Sequence, residues 1–129
     1  MSVDLNKKSV EQMTASARNA YPHECCGILI GVEGENGSVL IDSARAASNW
    51  VPDEKAGRHF KIDPMFLYGV EQEIEGSGRE IVGFYHSHPD CRAVPSDEDA
   101  ENMVPGLVYV ILSVTKEGVG EIRSYRKKL

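Results

Sequence analysis

The chain has 129 residues, 41% of them hydrophobic and 26% charged, which is the composition of one ordinary globular domain. A formal net charge of −6 argues against a nucleic-acid partner, because neutralising phosphates needs clustered Lys and Arg. The longest apolar stretch, residues 107–114, is far shorter than the ~20 residues of a membrane-spanning helix, so no membrane partner is expected.

Residues 5–20 predict an amphipathic helix, because apolar side chains recur there at helical spacing. Four of them are expected on one face: Leu5, Val10, Met13 and Ala17. Pro22 should end the helix, because the residue before a proline disfavours helical backbone.

A β-hairpin is predicted next. The apolar run 27–32 (GILIGV) fits a buried strand, and residues 38–44 fit a second one. The glycine-containing segment 33–37 between them is typical of a turn. Residues 45–61 show no regular pattern.

A second helix is predicted from Asp63, as N-cap, to Ile74, because Pro64 suits the first helical position. The segment 76–78 (GSG) ends it. Residues 80–86 (EIVGFYH) then fit a central strand by their β-branched and aromatic content.

The C-terminal third predicts a short helix over 96–103, a buried strand over 107–114, a turn at Gly118 and a last strand over 120–125. Helices interspersed with strands indicate a single α/β (α+β) domain over residues 1–129, with a sheet flanked by helices. The basic residues between Arg123 and Lys128 are interpreted as solvated surface.

Three cysteines, Cys25, Cys26 and Cys91, form no C-x-x-C pair and do not predict a disulfide framework. The first ten residues contain no apolar stretch typical of a signal peptide, so a reducing cytoplasm is the expected compartment. Cys25 and Cys26 are interpreted as small buried side chains. Cys91 lies near the candidate site below, which suggests an oxidation-sensitive thiol as a further hypothesis.

The strongest chemical signal is His86-Ser87-His88, at the end of the predicted central strand. Residues i and i+2 of an extended chain point to the same side, so the two imidazoles can meet at one point just beyond the strand. Pro89 is expected to take the chain out of the sheet there. Two imidazoles and one carboxylate, with an open fourth position, are the ligands of a catalytic zinc site.

The carboxylate is not determined by chemistry alone. Ser96-x-x-Asp99 has the spacing of a helix capping box, and this structural role is compatible with metal binding by Asp99. The neighbouring Asp97, Glu98 and Glu101 are equally acidic. A structural zinc site using His86, His88 and Cys91 also has plausible spacing.

Glu24 directly precedes the first buried strand, in PHECCGILIG, where an exposed charge at a strand start is the structural alternative. His23-Glu24 does not begin the H-E-x-x-H helix of zincins, because the fourth residue after His23 is Gly27. The H-x-E and P-C-x-x-C signature of zinc deaminases is also absent. His23 and His59 are interpreted as structural or surface residues.

Taken together, Glu24, then His86-Ser87-His88, seven residues, Ser96, two residues and Asp99 resemble the motif of JAMM (JAB/MPN) zinc metallopeptidases. The segment ECCGILIG, the strand 81–85 and the stretch from Asn49 through Arg58 and Phe60 to Pro64 also resemble short bacterial members.

The resemblance implies a curved mixed sheet flanked by helices, similar to that of cytidine deaminases. It implies zinc bound by His86, His88 and Asp99, with Asp97 passed over. It also implies that Glu24 is the general base and later the proton donor, and that Ser96 helps to stabilise the oxyanion.

For the substrate, the resemblance implies a small ubiquitin-like (β-grasp) sulfur-carrier protein, cut after its C-terminal Gly-Gly. One alternative is an isopeptidase that removes ubiquitin-like modifiers from lysines. Another is a non-catalytic MPN scaffold that binds partners; such scaffolds usually lack some of the ligands that are present here.

Overall fold

The computed structural model describes residues 2–48 and 62–128. Within these ranges six strands form one sheet, in the order β1-β3-β2-β4-β5-β6. The strands are β1 (Val3–Leu5), β2 (Cys26–Glu33), β3 (Val39–Ala47), β4 (Glu80–Pro89), β5 (Val108–Thr115) and β6 (Gly118–Arg126). The helices are α1 (Lys7–Ala20), α2 (Pro64–Ile74) and α3 (Asp97–Asn102), with a 3-10 turn at Glu35–Gly37.

The sheet is mixed, as predicted: β1 pairs with β3 and β4 with β5 in parallel, and the other neighbours are antiparallel. Helix α1 covers one face through Met13 and Ala17, which pack with Leu29 and Tyr85. Helix α2 covers the other face through Val70 and Ile74, packed against Ile28 and Ile30 of β2. The predicted class, one α+β unit with a curved sheet flanked by helices, is confirmed.

The N-terminal prediction was wrong in one respect. Leu5, expected to begin the helix, lies instead in β1 (Val3–Leu5), where it pairs with Ile41 of β3. The helix starts only after Asn6, because the Asn6 side chain accepts a hydrogen bond from the Ser9 backbone N–H at 2.8 Å. A three-residue strand is too short to show an alternating pattern, which is why the sequence did not reveal it.

The hairpin and the second helix agree with their predictions. β2 and β3 pair antiparallel, and β3 extends to Ala47, into the segment expected to be irregular. Helix α2 begins where Asp63 accepts a hydrogen bond from the Met65 backbone N–H, and it ends at Ile74. Residues 49–61, which include Arg58, His59 and Phe60, lie outside the described residues.

The central strand is longer than predicted. β4 pairs with β2 as far as His86, but its pairing with β5 continues to Pro89, opposite Val114. Pro89 occupies the last position of the strand, and the next backbone N–H, that of Asp90, donates to the Val114 carbonyl at 2.7 Å. His86 and His88 therefore lie within the strand rather than beyond its end.

The C-terminal basic segment is only partly solvated surface. The Arg126 guanidinium donates to the carbonyls of Gly106 and Gly37, at 2.8 and 2.7 Å, and joins the end of β6 to the turn between β2 and β3.

None of the helices in residues 2–48 and 62–128 has the length and apolar character to cross a membrane.

Gly83 lies opposite Val108, where β4 pairs with β5. A Cβ built at this position would lie 1.8 Å from the Val108 carbonyl oxygen, a contact that only a backbone shift can relieve. Gly69, within α2, offers a contrast, because a Cβ there has no heavy atom within 4 Å.

We predict that Gly83→Ala lowers the free energy of unfolding by ~2 kcal/mol or more, because the added methyl overpacks two paired strands. The control Gly69→Ala should raise it by ~0.5–1 kcal/mol, because alanine loses less backbone entropy in a helix. Chemical denaturation of both variants measures the difference. Equal stability of the two variants would contradict the close β4–β5 approach.

Candidate metal centre

Two imidazoles of β4 meet on one face of the sheet. His86 and His88 are separated by one residue, so the two-residue period of a strand directs both side chains to the same side. Their Nε2 atoms lie 3.1 Å apart. His86 is buried, with 2% of its surface exposed, and His88 lies closer to the surface.

Asp99, in the first turn of α3, completes a triangle with these imidazoles. Its Oδ2 lies 3.2 Å from His86 Nε2 and 3.0 Å from His88 Nε2. The same oxygen accepts a hydrogen bond from the Ser96 backbone N–H, while Ser96 Oγ accepts one from the Asp99 backbone N–H. The capping box and the approach to the histidines, considered as alternatives in the sequence, therefore occur together.

Glu24 joins the site from the start of β2. It is buried, with 5% of its surface exposed, and atoms able to bind a metal on Glu24, His86 and His88 lie within 4.8 Å of one another. The buried position excludes the alternative of an exposed charge at a strand start.

Ser87, between the two histidines, holds the backbone next to Glu24. The Cys25 backbone N–H donates to Ser87 Oγ at 2.8 Å, and the Ser87 N–H donates to the Cys25 carbonyl at 3.1 Å. Because Ser87 is fully buried, no water competes for these bonds. The strand that carries the imidazoles thus also fixes the chain that carries Glu24.

The charges of the site influence one another. Burial raises the pKa of Glu24 to about 7; the charge of His88 opposes this rise, and the nearby carboxylates of Asp99 and Glu98 add to it. Burial alone would also raise the pKa of Asp99, but hydrogen bonds with His86 and His88 outweigh it and hold this pKa below its ordinary value. Burial lowers the pKa of His86, so this imidazole favours its neutral form, which is the form that binds metals.

A backbone carbonyl fixes the orientation of the His88 imidazole. Its Nδ1 lies 3.0 Å from the backbone carbonyl oxygen of Arg92. A carbonyl can only accept, so Nδ1 carries a hydrogen, and Nε2 is the nitrogen that faces Asp99 and His86.

These donors fit a small divalent ion. A tetrahedral zinc ion with bonds of ~2.0–2.1 Å places its ligand atoms ~3.3 Å apart, close to the 3.0–3.2 Å that separates His86 Nε2, His88 Nε2 and Asp99 Oδ2. A converging set of two imidazole nitrogens and one carboxylate oxygen is the chemistry that such an ion requires.

The remaining acidic residues of α3 are placed differently. Asp97, Glu98 and Glu101 are exposed, and no bond between Asp97 and either imidazole is seen in the described part of the chain. Cys91 is also exposed, and Asp99 occupies the position that a third ligand would take beside both imidazoles. Cys25 and Cys26 are buried, as predicted.

Sequence reasoning missed Ser87 and the Arg92 carbonyl. The position of Ser87 offered a signal, because a small polar residue between two strand residues points to the opposite, buried face. A backbone carbonyl has no side chain, and nothing in the sequence marks it.

Known proteins resemble this chain along nearly its whole length. The family of prokaryotic homologs of the JAB domain matches residues 6–128. A desampylase from Haloferax volcanii is 31% identical over 114 residues, which cover 88% of this chain and 78% of that protein. A CysO-cysteine peptidase from Mycobacterium tuberculosis is 30% identical over 118 residues, which cover 91% and 77% of the two chains.

Solved structures agree. A protein from Desulfitobacterium hafniense superposes with a TM-score of 0.76 at 28% identity, covering 98% of this chain and 91% of that one. A JAB1/MPN domain protein from Archaeoglobus fulgidus, at 18% identity and a TM-score of 0.56, covers 95% and 88% and supports the fold. The resemblance predicted from the sequence is thereby confirmed, and this chain belongs to the family of prokaryotic JAB-domain proteins.

Proposed function

We propose that this protein is a zinc-dependent peptidase that hydrolyses the bond after the C-terminal Gly-Gly of a small ubiquitin-like sulfur carrier. The observation that carries the proposal is the convergence of His86, His88 and Asp99 beside the buried Glu24. Relatives named as a peptidase and as desampylases support a hydrolase.

In this proposal His86, His88 and Asp99 hold the ion. Zinc held there would supply a Lewis acid that polarises a carbonyl and lowers the pKa of water, so that a hydroxide nucleophile is available near neutral pH. Asp99 is suited to the task because its depressed pKa keeps it ionised. The Arg92 carbonyl keeps His88 in the tautomer that offers Nε2.

Glu24 is the proposed group that transfers a proton from the attacking water to the leaving nitrogen. Burial raises the pKa of Glu24 and so makes this carboxylate more basic than an exposed one, which suits it to take a proton from the attacking water. It can then return that proton to the departing nitrogen, which would otherwise leave as a highly basic amide anion. The Ser87 bonds to Cys25 limit the backbone motion that would carry Glu24 away from this position.

Ser96 is the proposed donor to the oxyanion. Its hydroxyl oxygen accepts from the Asp99 backbone N–H, and a serine hydroxyl can accept and donate at once. The helix cap therefore leaves the O–H able to donate to charge that develops only near the transition state.

The short loop between His88 and Ser96 supports the proposed substrate. Only seven residues separate His88 from Ser96, which leaves no room for an inserted segment that grips a folded second protein. A narrow, flexible Gly-Gly tail can reach such a site as an extended chain. We therefore favour processing of a tail over opening of chains between two folded modifiers.

Replacing Glu24 by Gln removes the base and preserves the shape of the side chain. We predict that zinc occupancy is unchanged and that the hydrolysis rate falls ~10²-fold or more. Glu11→Gln, on the exposed side of α1, is the control for loss of one carboxylate and should retain the wild-type rate. Full activity of the Glu24→Gln protein would show that another group is the base.

The choice of ligand can be tested with two neighbouring aspartates. We predict that Asp99→Ala loses zinc affinity, because Oδ2 lies within 3.2 Å of both imidazoles, whereas the exposed Asp97→Ala keeps it. Competition with a chromophoric chelator measures both dissociation constants. Cys91→Ser should also bind zinc normally; loss of the metal in that variant would support the structural site instead.

The substrate class can be read by intact mass spectrometry. A β-grasp carrier extended beyond Gly-Gly, incubated with the zinc-loaded protein, should lose the mass of the extension and end at Gly-Gly. The same carrier linked to a lysine side chain tests the isopeptidase alternative in parallel. Cleavage of the lysine-linked form alone would replace the proposed substrate, and bound zinc with neither product would favour a scaffold.

A further inference from the structure

The Arg92–Ala93 peptide group, in the loop that follows His88, links the His88 imidazole to β6. The carbonyl of the Arg92–Ala93 peptide accepts the His88 Nδ1 hydrogen, at 3.0 Å. The N–H of the same peptide donates to Oε1 of Glu121, at 3.4 Å. One planar unit therefore carries a carboxylate at one end and an imidazole at the other.

Further contacts hold the residues on either side of this unit. The Tyr125 hydroxyl, four residues beyond Glu121 in β6, donates to the Ala93 carbonyl, which belongs to the next peptide group. Ala93 itself is fully buried. Glu121 is steadied by its own backbone N–H, which donates to Ser113 Oγ at 2.7 Å, and by Arg123, whose Nε lies 3.0 Å from Glu121 Oε2.

We propose that Glu121 and Tyr125 are positioning residues for His88: Glu121 acts through the Arg92–Ala93 peptide group, and Tyr125 through the carbonyl of the next residue, Ala93. The inference rests on the proposed metal site. Metal-binding histidines are typically oriented by a carboxylate or carbonyl on their second nitrogen, and loss of that partner weakens metal binding. Here the Arg92 carbonyl is the direct partner of His88, and the Glu121 carboxylate acts on that carbonyl. A hydrogen bond that the N–H of a peptide donates polarises the carbonyl of the same peptide.

The ion pair between Arg92 and Glu121 provides the natural control. Its atoms are 3.4 Å apart and the Arg92 side chain is 73% exposed, so the pair itself contributes little. Arg92→Ala removes this pair but keeps the backbone carbonyl that faces His88. An effect of Glu121 through the peptide is thus separable from an effect of surface charge.

The experiment measures zinc dissociation constants by chelator competition for the full-length protein and its variants. We expect Glu121→Ala to weaken binding ~10-fold or more, within the ~10–100-fold range known for such partners. Glu121→Gln retains an oxygen that can accept from Ala93 and should recover part of this loss. Tyr125→Phe should weaken binding in the same direction, whereas Arg92→Ala and Glu117→Gln should match the wild type.

A second measurement follows the Nδ1 hydrogen of His88 directly. In the zinc-loaded wild type, NMR should show a protected Nδ1 hydrogen on His88, and its exchange with water should be faster in Glu121→Ala and Tyr125→Phe. A purely structural role of Glu121 would lower the melting temperature without moving this signal. If Glu121→Ala does not fold, Tyr125→Phe decides the question by the same two readings.

The outcomes separate this inference from the proposed function. If Asp99→Ala binds zinc as well as the wild type, the proposed metal site itself has failed. If Asp99→Ala loses zinc while Glu121→Ala and Tyr125→Phe keep wild-type affinity and a protected Nδ1 hydrogen, the metal site stands and the positioning role is overturned.

Discussion

The two-residue period of β4 is the constraint on which the site depends. Because alternate residues of a strand face opposite sides, His86 and His88 share one face, while Tyr85 and Ser87 point into the core beneath α1. This short segment therefore supplies imidazoles to one face of the sheet and side chains to the core on the other face. A shift of the register by one residue would bury the imidazoles in the apolar core and turn Ser87 outwards.

The same strand supplies the rigidity that a precise site needs. β4 lies between β2 and β5 in the middle of the sheet, so its backbone is fixed from both sides as far as His86. Glu24 is tied to it by the bonds between Ser87 and Cys25, and the capping box with Ser96 fixes Asp99 at the start of α3. The groups that meet at the site come from three separate elements, yet each is held by backbone hydrogen bonds rather than by long flexible side chains.

Local signals in the sequence were sufficient for most elements. Asp63-Pro64 and the glycines after Ile74 predicted α2 correctly, because capping and turn chemistry act within a few residues. β1 and the extension of β4 were missed, because both depend on distant partners, β3 and β5. Chemistry alone did not distinguish Asp99 from Asp97; the family spacing did, and the structure shows Oδ2 of Asp99 beside both imidazoles. Glu121 and Tyr125 come close to the loop that follows His88 only through the packing of β6, which the sequence does not reveal.

Oδ2 of Asp99 contacts both the helix cap and the two histidines. This double role affects how the sequence of the domain can change in evolution. A capping box ordinarily uses Glu or Gln at this third helical position, and a longer side chain still reaches the N-cap. Asp is one methylene shorter, so its presence at this position reflects the demand of the histidines more than that of the helix. Lengthening this side chain by one carbon would preserve α3 while displacing the carboxylate from the imidazoles. Loss of the metal site and loss of the fold are therefore uncoupled at this position, and a descendant could lose the carboxylate beside the histidines and still keep an intact domain.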